Sequence, residues 1–305
     1  MRWRKKGLIY SPSGEKHWLV KYAMMPTPIV IESKNIIRVF IGVTDSQIYG
    51  RTTFIDLDIE DPSVIIKFPQ NIILDIGEDG FFDDSGAIPS SVLTRESISN
   101  LYYVGFQRTT KVPYMLFSGM AVSTDLENFR KHSKAPIMDR NPLNQISNAA
   151  PFVIFDEGIF KMWMWVGKQW ISINNKKYIE AEIKYATSID SINWDIQSAS
   201  CIQLDYSKEF SLGRPWVLKD KDIYKMWYSV RYIDKLYRIG YAESHDGINW
   251  IRKDEEVGID VSSEGWDSEM ICYPSVISVK GRTYMFYNGN NNGESGFGYA
   301  ELIEE

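Results

Sequence analysis

The feature that most constrains the fold of this chain is a repeat of about sixty residues. A proline followed by a short apolar run recurs five times, at intervals of 59 to 64 residues, and five such units account for the 305 residues of the chain. Evenly spaced copies indicate a repeat architecture, in which each unit packs against its neighbours. The repeated prolines are Pro28, Pro89, Pro151, Pro215 and Pro274.

Each unit continues with the same series of predicted strands. The proline run is followed by a turn, by an aromatic-rich segment such as IYKMWYSVR, and by a third segment such as YRIGYAES, whose composition predicts β-strands. Three units then carry the pattern Ala-x-Ser-x-Asp-x-x-x-aromatic, which begins at Ala121, Ala186 and Ala242. The Asp of this pattern predicts a structural turn before a fourth strand. Four strands per unit at this period are typical of a propeller blade.

The two ends of the chain complement each other. The fifth unit stops after its third strand, and the N-terminal residues resemble the fourth-strand segment that precedes this unit. An outer strand supplied by the N-terminus would leave no ragged edge on the last sheet. We therefore expect one all-β domain over residues 1–305, a five-bladed β-propeller of four-stranded antiparallel blades closed by the N-terminal strand.

Composition narrows the classes of partner. A net charge of −6 and a pI near 5.3 disfavour nucleic acid, which requires a basic surface. No apolar run approaches the roughly 18 residues that span a bilayer. The two cysteines and three histidines have no metal-ligand spacing, so neither a metal nor a cofactor is predicted. A reduced, cytoplasmic protein is the simplest expectation.

The segments that lead into the repeated prolines are where functional residues are expected. In a propeller these segments line a central funnel, and here they differ between units although the apolar runs agree. Asp84 and Glu269 both stand five residues before their proline, and Asp267 shares the parity of Glu269. Two carboxylates facing one funnel would suit glycoside hydrolysis. The alternative is that these acids solvate loops or pair with arginine.

Basic side chains suggest an anionic ligand. Arg214 directly precedes Pro215, at a position aligned with Thr27, Ile88, Ala150 and Tyr273 of the other units. Arg108 and Arg231 end the second strands of units two and four. Three guanidinium groups facing a pocket would favour an anionic sugar or a phosphate, whereas salt bridges within the fold are the competing interpretation.

Aromatic and amide side chains complete the predicted binding set. Trp170 and Tyr273 lie at strand ends, where a flat apolar face could stack on a sugar ring. Asn288 and Asn290 end the second strand of unit five and could bind hydroxyl groups, or they could form a polar loop tip.

The chain resembles the five-bladed propeller glycosidases of glycoside hydrolase families 43, 32 and 130. The likeness extends over the whole chain and is carried by IYKMWYSVR, YRIGYAESHDGINW and GWDSEMICYPSVI followed by YMFYNGN. It implies cleavage of glycosidic bonds with inversion in family 43, with retention in family 32, and with phosphate in many members of family 130. The acids typical of family 43 are replaced by Thr27 in unit one and by Ala149 and Ala150 in unit three. That family's catalytic residues are therefore not transferred.

These features predict a glycoside hydrolase or phosphorylase acting on a small sugar or oligosaccharide. Two alternatives stay open from the sequence: a sugar-transferring enzyme of polysaccharide biosynthesis, and a non-catalytic glycan-binding propeller.

Overall fold

The computed structural model describes residues 1–304, and nearly all of its regular structure is β-strand. Twenty strands within these residues form one four-stranded sheet and two eight-stranded sheets, and each eight-stranded sheet spans two of the sequence units. The first three units contain β2 (Lys21–Ile31), β3 (Ile36–Thr44), β4 (Gly50–Asp58) and β5 (Ile65–Lys67); β6 (Gly86–Arg95), β7 (Ile98–Arg108), β8 (Tyr114–Ser123) and β9 (Arg130–Lys131); and β10 (Ser147–Asp156), β11 (Ile159–Ile173), β12 (Lys176–Ser188) and β13 (Asp195–Ser200).

The remaining units follow the same scheme. They contain β14 (Glu209–Asp220), β15 (Ile223–Tyr232), β16 (Arg238–Ser244) and β17 (Ile251–Arg252), then β18 (Cys272–Val279), β19 (Arg282–Asn288), β20 (Phe297–Glu304) and β1 (Arg2–Tyr10). Helical structure in the described part of the chain is limited to two 3-10 turns, Glu32–Lys34 and Asp254–Glu256, and the short α1 (Asn290–Gly293). Neither the length nor the hydropathy of any helix in residues 1–304 would allow it to cross a bilayer.

Strands within a unit pair antiparallel with their sequence neighbours. In unit four, β14 pairs with β15, β15 with β16, and β16 with β17. In the last unit the order is β18-β19-β20-β1, so the N-terminal strand pairs with the C-terminal one. Single parallel bridges join unit one to unit two and unit three to unit four. The chain is thus an all-β protein, consistent with a β-propeller fold.

The first strands of the five units contact one another in cyclic order. Strand β2 packs against β6, β6 against β10, β10 against β14, β14 against β18, and β18 against β2. Side chains also bond to the carbonyl groups of the adjacent first strand: Ser91 Oγ donates to Pro151 at 2.8 Å, and Ser275 Oγ donates to Pro26 at 2.7 Å. All five lead-in segments therefore converge on one central region.

Aromatic side chains fill the spaces between neighbouring units. Trp227 of unit four meets Trp3 of β1 edge-on with ring centroids 6.4 Å apart, and Trp216 of unit four packs on Phe152 of unit three at 4.7 Å. All four side chains are buried. Because aromatic pairs bury large areas, these contacts explain why the repeated strands are so rich in Trp and Tyr.

The Ser-x-Asp turns are structural, as the sequence predicts. In unit three, Ser188 Oγ accepts hydrogen bonds from the backbone N–H groups of Asp190 and Ser191, at 3.2 and 2.9 Å. Asp190 Oδ1 in turn accepts from the N–H groups of Ile192 and Asn193. The same arrangement recurs in unit two around Asp125 and in unit four around Asp246.

These turns predict a loss of stability in acid. Backbone N–H donors, first of all those of Asn128 and Asn193, hold the pKa values of Asp125 and Asp190 well below the usual range. A lowered folded-state pKa stabilises the fold above the unfolded pKa of about 4 and loses that contribution as pH falls further. Urea unfolding at pH 5, 4 and 3 should therefore show a smaller acid loss for the double variant Asp125→Asn, Asp190→Asn than for the wild type. Equal losses would contradict this assignment.

Candidate functional site

Irregular pairing in the first strands directs side chains toward the centre. The pairing of β2, β10, β14 and β18 with their second strands is interrupted at an X-Pro pair, and the residue before the proline has a positive φ of 50 to 54°. Such an interruption re-aims a side chain, and a positive φ at a non-glycine residue is a strained conformation that often marks function. The four residues are Met25, Ala150, Arg214 and Tyr273.

The structure corrects the sequence alignment of unit one. In unit one, the residue that corresponds to Arg214 is Met25, which precedes Pro26. The sequence alignment places Thr27, which precedes Pro28, at this position. Thr27 instead pairs with Phe40 in regular register and is fully buried. The sequence alignment went wrong because unit one has two prolines spaced by one residue, and only pairing with β3 distinguishes them.

A central cavity lies where the four strained residues meet. Its outer part has a volume of about 330 Å³ and its inner part about 140 Å³. Both parts are lined by Met25, Val104, Tyr114, Leu116, Arg231, Tyr237 and Tyr273; the inner part adds Ala149, Ala150, Trp165, Ser211, Gly213, Arg214 and Ser229. Neither part has an Asp or Glu among the described residues that line it. The combined size suits a small ligand.

Arg214 crosses the floor of this cavity from unit four to unit one. Its Nη2 donates to the carbonyl of Pro26 at 3.1 Å and to Oγ1 of Thr27 at 3.2 Å. The side chain is only 2% exposed, and its Nε and Nη1 have no hydrogen-bond partner. Burial lowers the pKa of this guanidinium to about 9, because no carboxylate compensates its charge. An uncompensated buried cation is costly unless a ligand completes its shell.

Arg231 is the second cation of the cavity. Its guanidinium lies over the rings of Tyr178, Phe210 and Tyr237, 4.8 to 5.0 Å from their centroids. It forms no ion pair with any carboxylate in residues 1–304. Cation–π contacts orient a guanidinium without neutralising it. Both arginines therefore leave a net positive charge at the unit-four side of the cavity.

Two hydroxyl groups near the arginines can donate hydrogen bonds to a ligand. Ser229 Oγ accepts from the N–H of Tyr273 at 2.8 Å, and Ser211 Oγ accepts from Nε1 of Trp165 at 3.1 Å. Each hydroxyl keeps its own proton for a further partner. Burial raises the pKa of Tyr237 to about 12 and that of Tyr273 well above its usual value, so both phenols remain protonated near neutral pH.

The opposite side of the cavity is apolar. Met25, Ile88, Val104, Ala149 and Ala150 form one buried cluster contributed by units one to three. The cavity therefore has two unlike walls, a cationic, donor-rich wall on units four and five and an apolar wall on units one to three.

Two of the predicted acids lie at the edge of this region instead of inside it. Asp84 is half-buried in a turn, where Oδ2 accepts from the N–H of Gly80 and Oδ1 accepts from Oγ of Ser85. Glu269 lies in a bend with its side chain exposed, and its N–H donates to Asn290 Oδ1. Neither lines the cavity. The prediction for these acids requires extended lead-in segments, in which every second side chain faces the same way. The turn at Asp84 and the bend at Glu269 break that alternation.

Asp267 has a different environment from the one predicted for a catalytic acid. It is buried, pairs with Lys5 Nζ at 2.7 Å and accepts from the Tyr287 hydroxyl at 2.9 Å. Asp83 makes the same contacts in unit two, with Lys131 at 2.6 Å and the Tyr103 hydroxyl at 2.9 Å. Two units therefore use a buried acid to tie the lead-in segment to the second and outer strands.

The predicted binding residues divide into two groups. Arg214, Arg231 and Tyr273 line the cavity. Four others do not line it: Arg108, Trp170, Asn288 and Asn290. Arg108 is exposed and lies over the Tyr49 ring at 4.4 Å, whereas Trp170 packs edge-on behind Tyr114 at 5.6 Å.

The two amides of unit five hold backbone together. Asn288 is fully buried and bonds to the N–H of Met25 and to the carbonyls of Ala23 and Gly296. Asn290 Oδ1 accepts from the N–H groups of Glu269 and Met270. Of the same Asn run, Asn292 reaches the cavity mouth.

Sequence reasoning missed several lining residues. These are Trp165, Tyr114, Tyr237, Ser211 and Ser229, which the sequence alone does not distinguish from core or loop residues. The sequence contains a usable signal for Tyr114 and Tyr237, because both lie at or directly before the start of a third strand. Second strands end, and third strands begin, on the same side of the sheet as the lead-in segments. Within residues 1–304, no three His, Cys, Asp or Glu side chains are close enough together to hold a metal ion.

Comparison with known proteins identifies a full-length relative. The chain is 34% identical over 302 residues to an uncharacterized protein, Rv1502, of Mycobacterium tuberculosis, and the match covers 99% of both chains. The corresponding protein of a second strain, MT1551, gives the same identity and coverage. No protein-family profile matches the chain.

Solved structures of glycoside hydrolases share the fold. A thermostable family-43 glycoside hydrolase superposes with a TM-score of 0.69 at 16% identity, covering 97% of this chain and 93% of that one. A Bombyx mori family-32 β-fructofuranosidase gives a TM-score of 0.65 at 14% identity, covering 97% of this chain and 62% of that one. The predicted resemblance to the propeller glycosidase superfamily is confirmed at the level of the fold. The chain therefore belongs to the family of the Mycobacterium tuberculosis protein Rv1502, with the fold of the propeller glycosidases.

Proposed function

We propose that this protein is a carbohydrate-binding propeller whose central cavity holds a saccharide. The observation that carries the proposal is the lining of the cavity. Trp165 and the tyrosines offer flat apolar faces with polar edges, and Ser211 and Ser229 offer hydroxyl donors at the same place. Sugars present both an apolar ring face and hydroxyl groups, so this combination is the complement that they require.

The proposal includes the architecture that brings these groups together. Five four-stranded blades would form a closed ring in one domain, residues 1–305, with the N-terminal strand as the outer strand of the last blade. The cyclic contacts of the first strands and the pairing of β1 with β20 support this arrangement. A closed ring would explain why Met25 and Tyr273, distant in sequence, line one cavity.

A cytoplasmic location belongs to the same proposal. Cys201 and Cys272 are both unpaired and buried, which fits a reducing compartment. A small sugar or an oligosaccharide is the expected ligand.

A second candidate function is cleavage or transfer of a glycosidic bond by carboxylates at the cavity mouth. It is favoured by the position of Asp84, which is adjacent to Ser85 on the outer cavity wall. Glu269 is adjacent to Met270, which lines a second groove that shares Arg231 and Tyr237 with the cavity. Acid-assisted hydrolysis, phosphorolysis or sugar transfer would then need these two acids to act on a ligand that extends out of the cavity.

Two variants separate the candidates. For the binding protein, Asp84→Asn and Glu269→Gln should bind the same sugars as the wild type with affinities within about twofold, because neither side chain lines the cavity. The measurement is calorimetric titration with a panel of mono- and oligosaccharides, together with an assay for sugar release from the matching glycosides. Release of sugar by the wild type that disappears in either variant would reject the binding-only proposal and establish the second candidate.

A further inference from the structure

The central cavity contains hydrogen-bond donors with no acceptors to match. Arg214 has two buried nitrogen atoms, Nε and Nη1, without a partner, and Arg231 lies on the same wall. The hydroxyls of Ser211 and Ser229 each accept one hydrogen bond, and each can still donate its own proton to a ligand. A ligand that satisfies the guanidinium nitrogens must therefore accept hydrogen bonds, and the two hydroxyls can donate to the same ligand.

The charge of this wall limits the class of ligand further. A neutral hydroxyl could accept from one guanidinium N–H, but it would leave two positive charges in a site with no carboxylate. An ionised carboxylate or phosphate offers several acceptor oxygens, carries the opposite charge, and matches the planar donor array of arginine. The buried position of Arg214 means that its charge is poorly screened by solvent, so the preference for an anion is large.

The opposite wall indicates how the rest of such a ligand would lie. Met25, Ile88 and Ala150 present an apolar surface without hydrogen-bonding side chains. A sugar whose anionic group faces Arg214 would turn a ring face or an alkyl substituent toward this surface. The cavity thus has a fixed polarity, with the charged end at units four and five.

We infer that the saccharide bound by this cavity carries a carboxylate or phosphate group, which is held between Arg214 and Arg231 on the donor wall. This inference rests on the proposed saccharide function and specifies its ligand class. Charge-assisted hydrogen bonds contribute roughly 1.5–3 kcal/mol, which corresponds to about 10- to 100-fold in affinity.

The test compares neutral and charged forms of the same sugar. The wild type, Arg214→Met and Arg231→Met are titrated with glucose, galactose and mannose, with the uronate and the 1-phosphate of each sugar, and with inorganic phosphate alone. We expect a uronate or a 1-phosphate to bind at least about tenfold more tightly than its parent sugar, and we expect that preference to be lost in Arg214→Met. The uronate and 1-phosphate arms distinguish the two anions.

The melting temperature of each variant is measured as well. Arg214→Met removes an uncompensated buried charge, so its melting temperature without ligand should equal or exceed that of the wild type. If Arg214→Met fails to fold, the half-buried Arg231→Met provides the same comparison. An Arg214→Met protein that folds, melts several degrees lower, and keeps the anion preference would overturn the inference.

The remaining outcomes separate the inference from the proposed function. Equal affinity for a neutral sugar and both of its charged forms would overturn the anion assignment and leave saccharide binding standing. Binding of inorganic phosphate through Arg214, with no affinity for any sugar, would overturn saccharide binding and support an anion site. Absence of binding by all probes would reject both.

Discussion

Asn288→Ala is expected to lower the free energy of unfolding by about 4 kcal/mol. The Asn288 amide is fully buried, accepts from the N–H of Met25 at 2.8 Å, and donates to the carbonyls of Ala23 at 2.7 Å and Gly296 at 2.9 Å. It therefore connects the last unit to the first strand of unit one. Alanine would leave one backbone donor and two acceptors unsatisfied inside the protein, and each costs roughly 1–3 kcal/mol.

Urea unfolding followed by circular dichroism measures this loss. The matched control is Asn71→Ala at an exposed loop position, which should change stability by less than about 0.5 kcal/mol. Since Asn288 also holds the N–H of Met25, its loss should weaken sugar binding in the protein that stays folded. A change below about 1 kcal/mol for Asn288→Ala would contradict its assignment as the connection between the two units.

Asp267→Ala is expected to cost about 3 kcal/mol of stability, because it breaks a buried ion pair by removing one partner. Lys5 Nζ would lose its ion-pair partner and keep only the hydrogen bond to Ser262 Oγ, and the Tyr287 hydroxyl would lose its acceptor. Lys5 lies on β1, so the variant should also loosen the N-terminal strand against the last unit. Hydrogen exchange of the backbone amides of Arg2–Tyr10 should accelerate more than that of strands in unit three.

The parallel variant Asp83→Ala tests whether the assignment is general. Asp83 makes the corresponding contacts in unit two, so its removal should cost a similar amount without loosening β1. A catalytic acid would behave differently, since its replacement usually leaves stability unchanged or raises it. Unaltered stability of Asp267→Ala together with lost activity on a glycoside would return Asp267 to the catalytic role predicted from its sequence position.

The repeat was readable from the sequence because its cause is local. Alternation of apolar and polar residues, the proline run and the Ser-x-Asp turn each determine the backbone over a few residues; the first two recur in every unit and the turn in three. That Arg214, Arg231 and Tyr273 face the centre could be predicted for a related reason. Arg214 and Tyr273 break the pattern of the repeat directly before its proline, Arg231 stands near the end of a second strand, and the fold places these positions around the centre.

The acids could not be assigned from the sequence because their positions depend on turns. Asp84 is placed by a turn in which its N–H donates to the carbonyl of Phe81, and Glu269 lies in a bend held by Asn290. Strand parity has no meaning in such segments. Asp267 was indistinguishable from a catalytic acid, because the pairing of Lys5 with it spans 262 residues.

The most direct measurement of the central claim is sugar binding by a protein whose cavity has been filled. Ala150 projects into the inner cavity from its strained position, so Ala150→Phe should occupy the space that the ligand needs. Ile189→Phe, at a side chain that is 88% exposed, is the matched control. In calorimetric titrations with the neutral, uronate and 1-phosphate sugars, we predict that the wild type and the control bind. Ala150→Phe should lose at least tenfold in affinity while it still unfolds cooperatively. Undiminished binding by folded Ala150→Phe would show that the sugar does not occupy the central cavity.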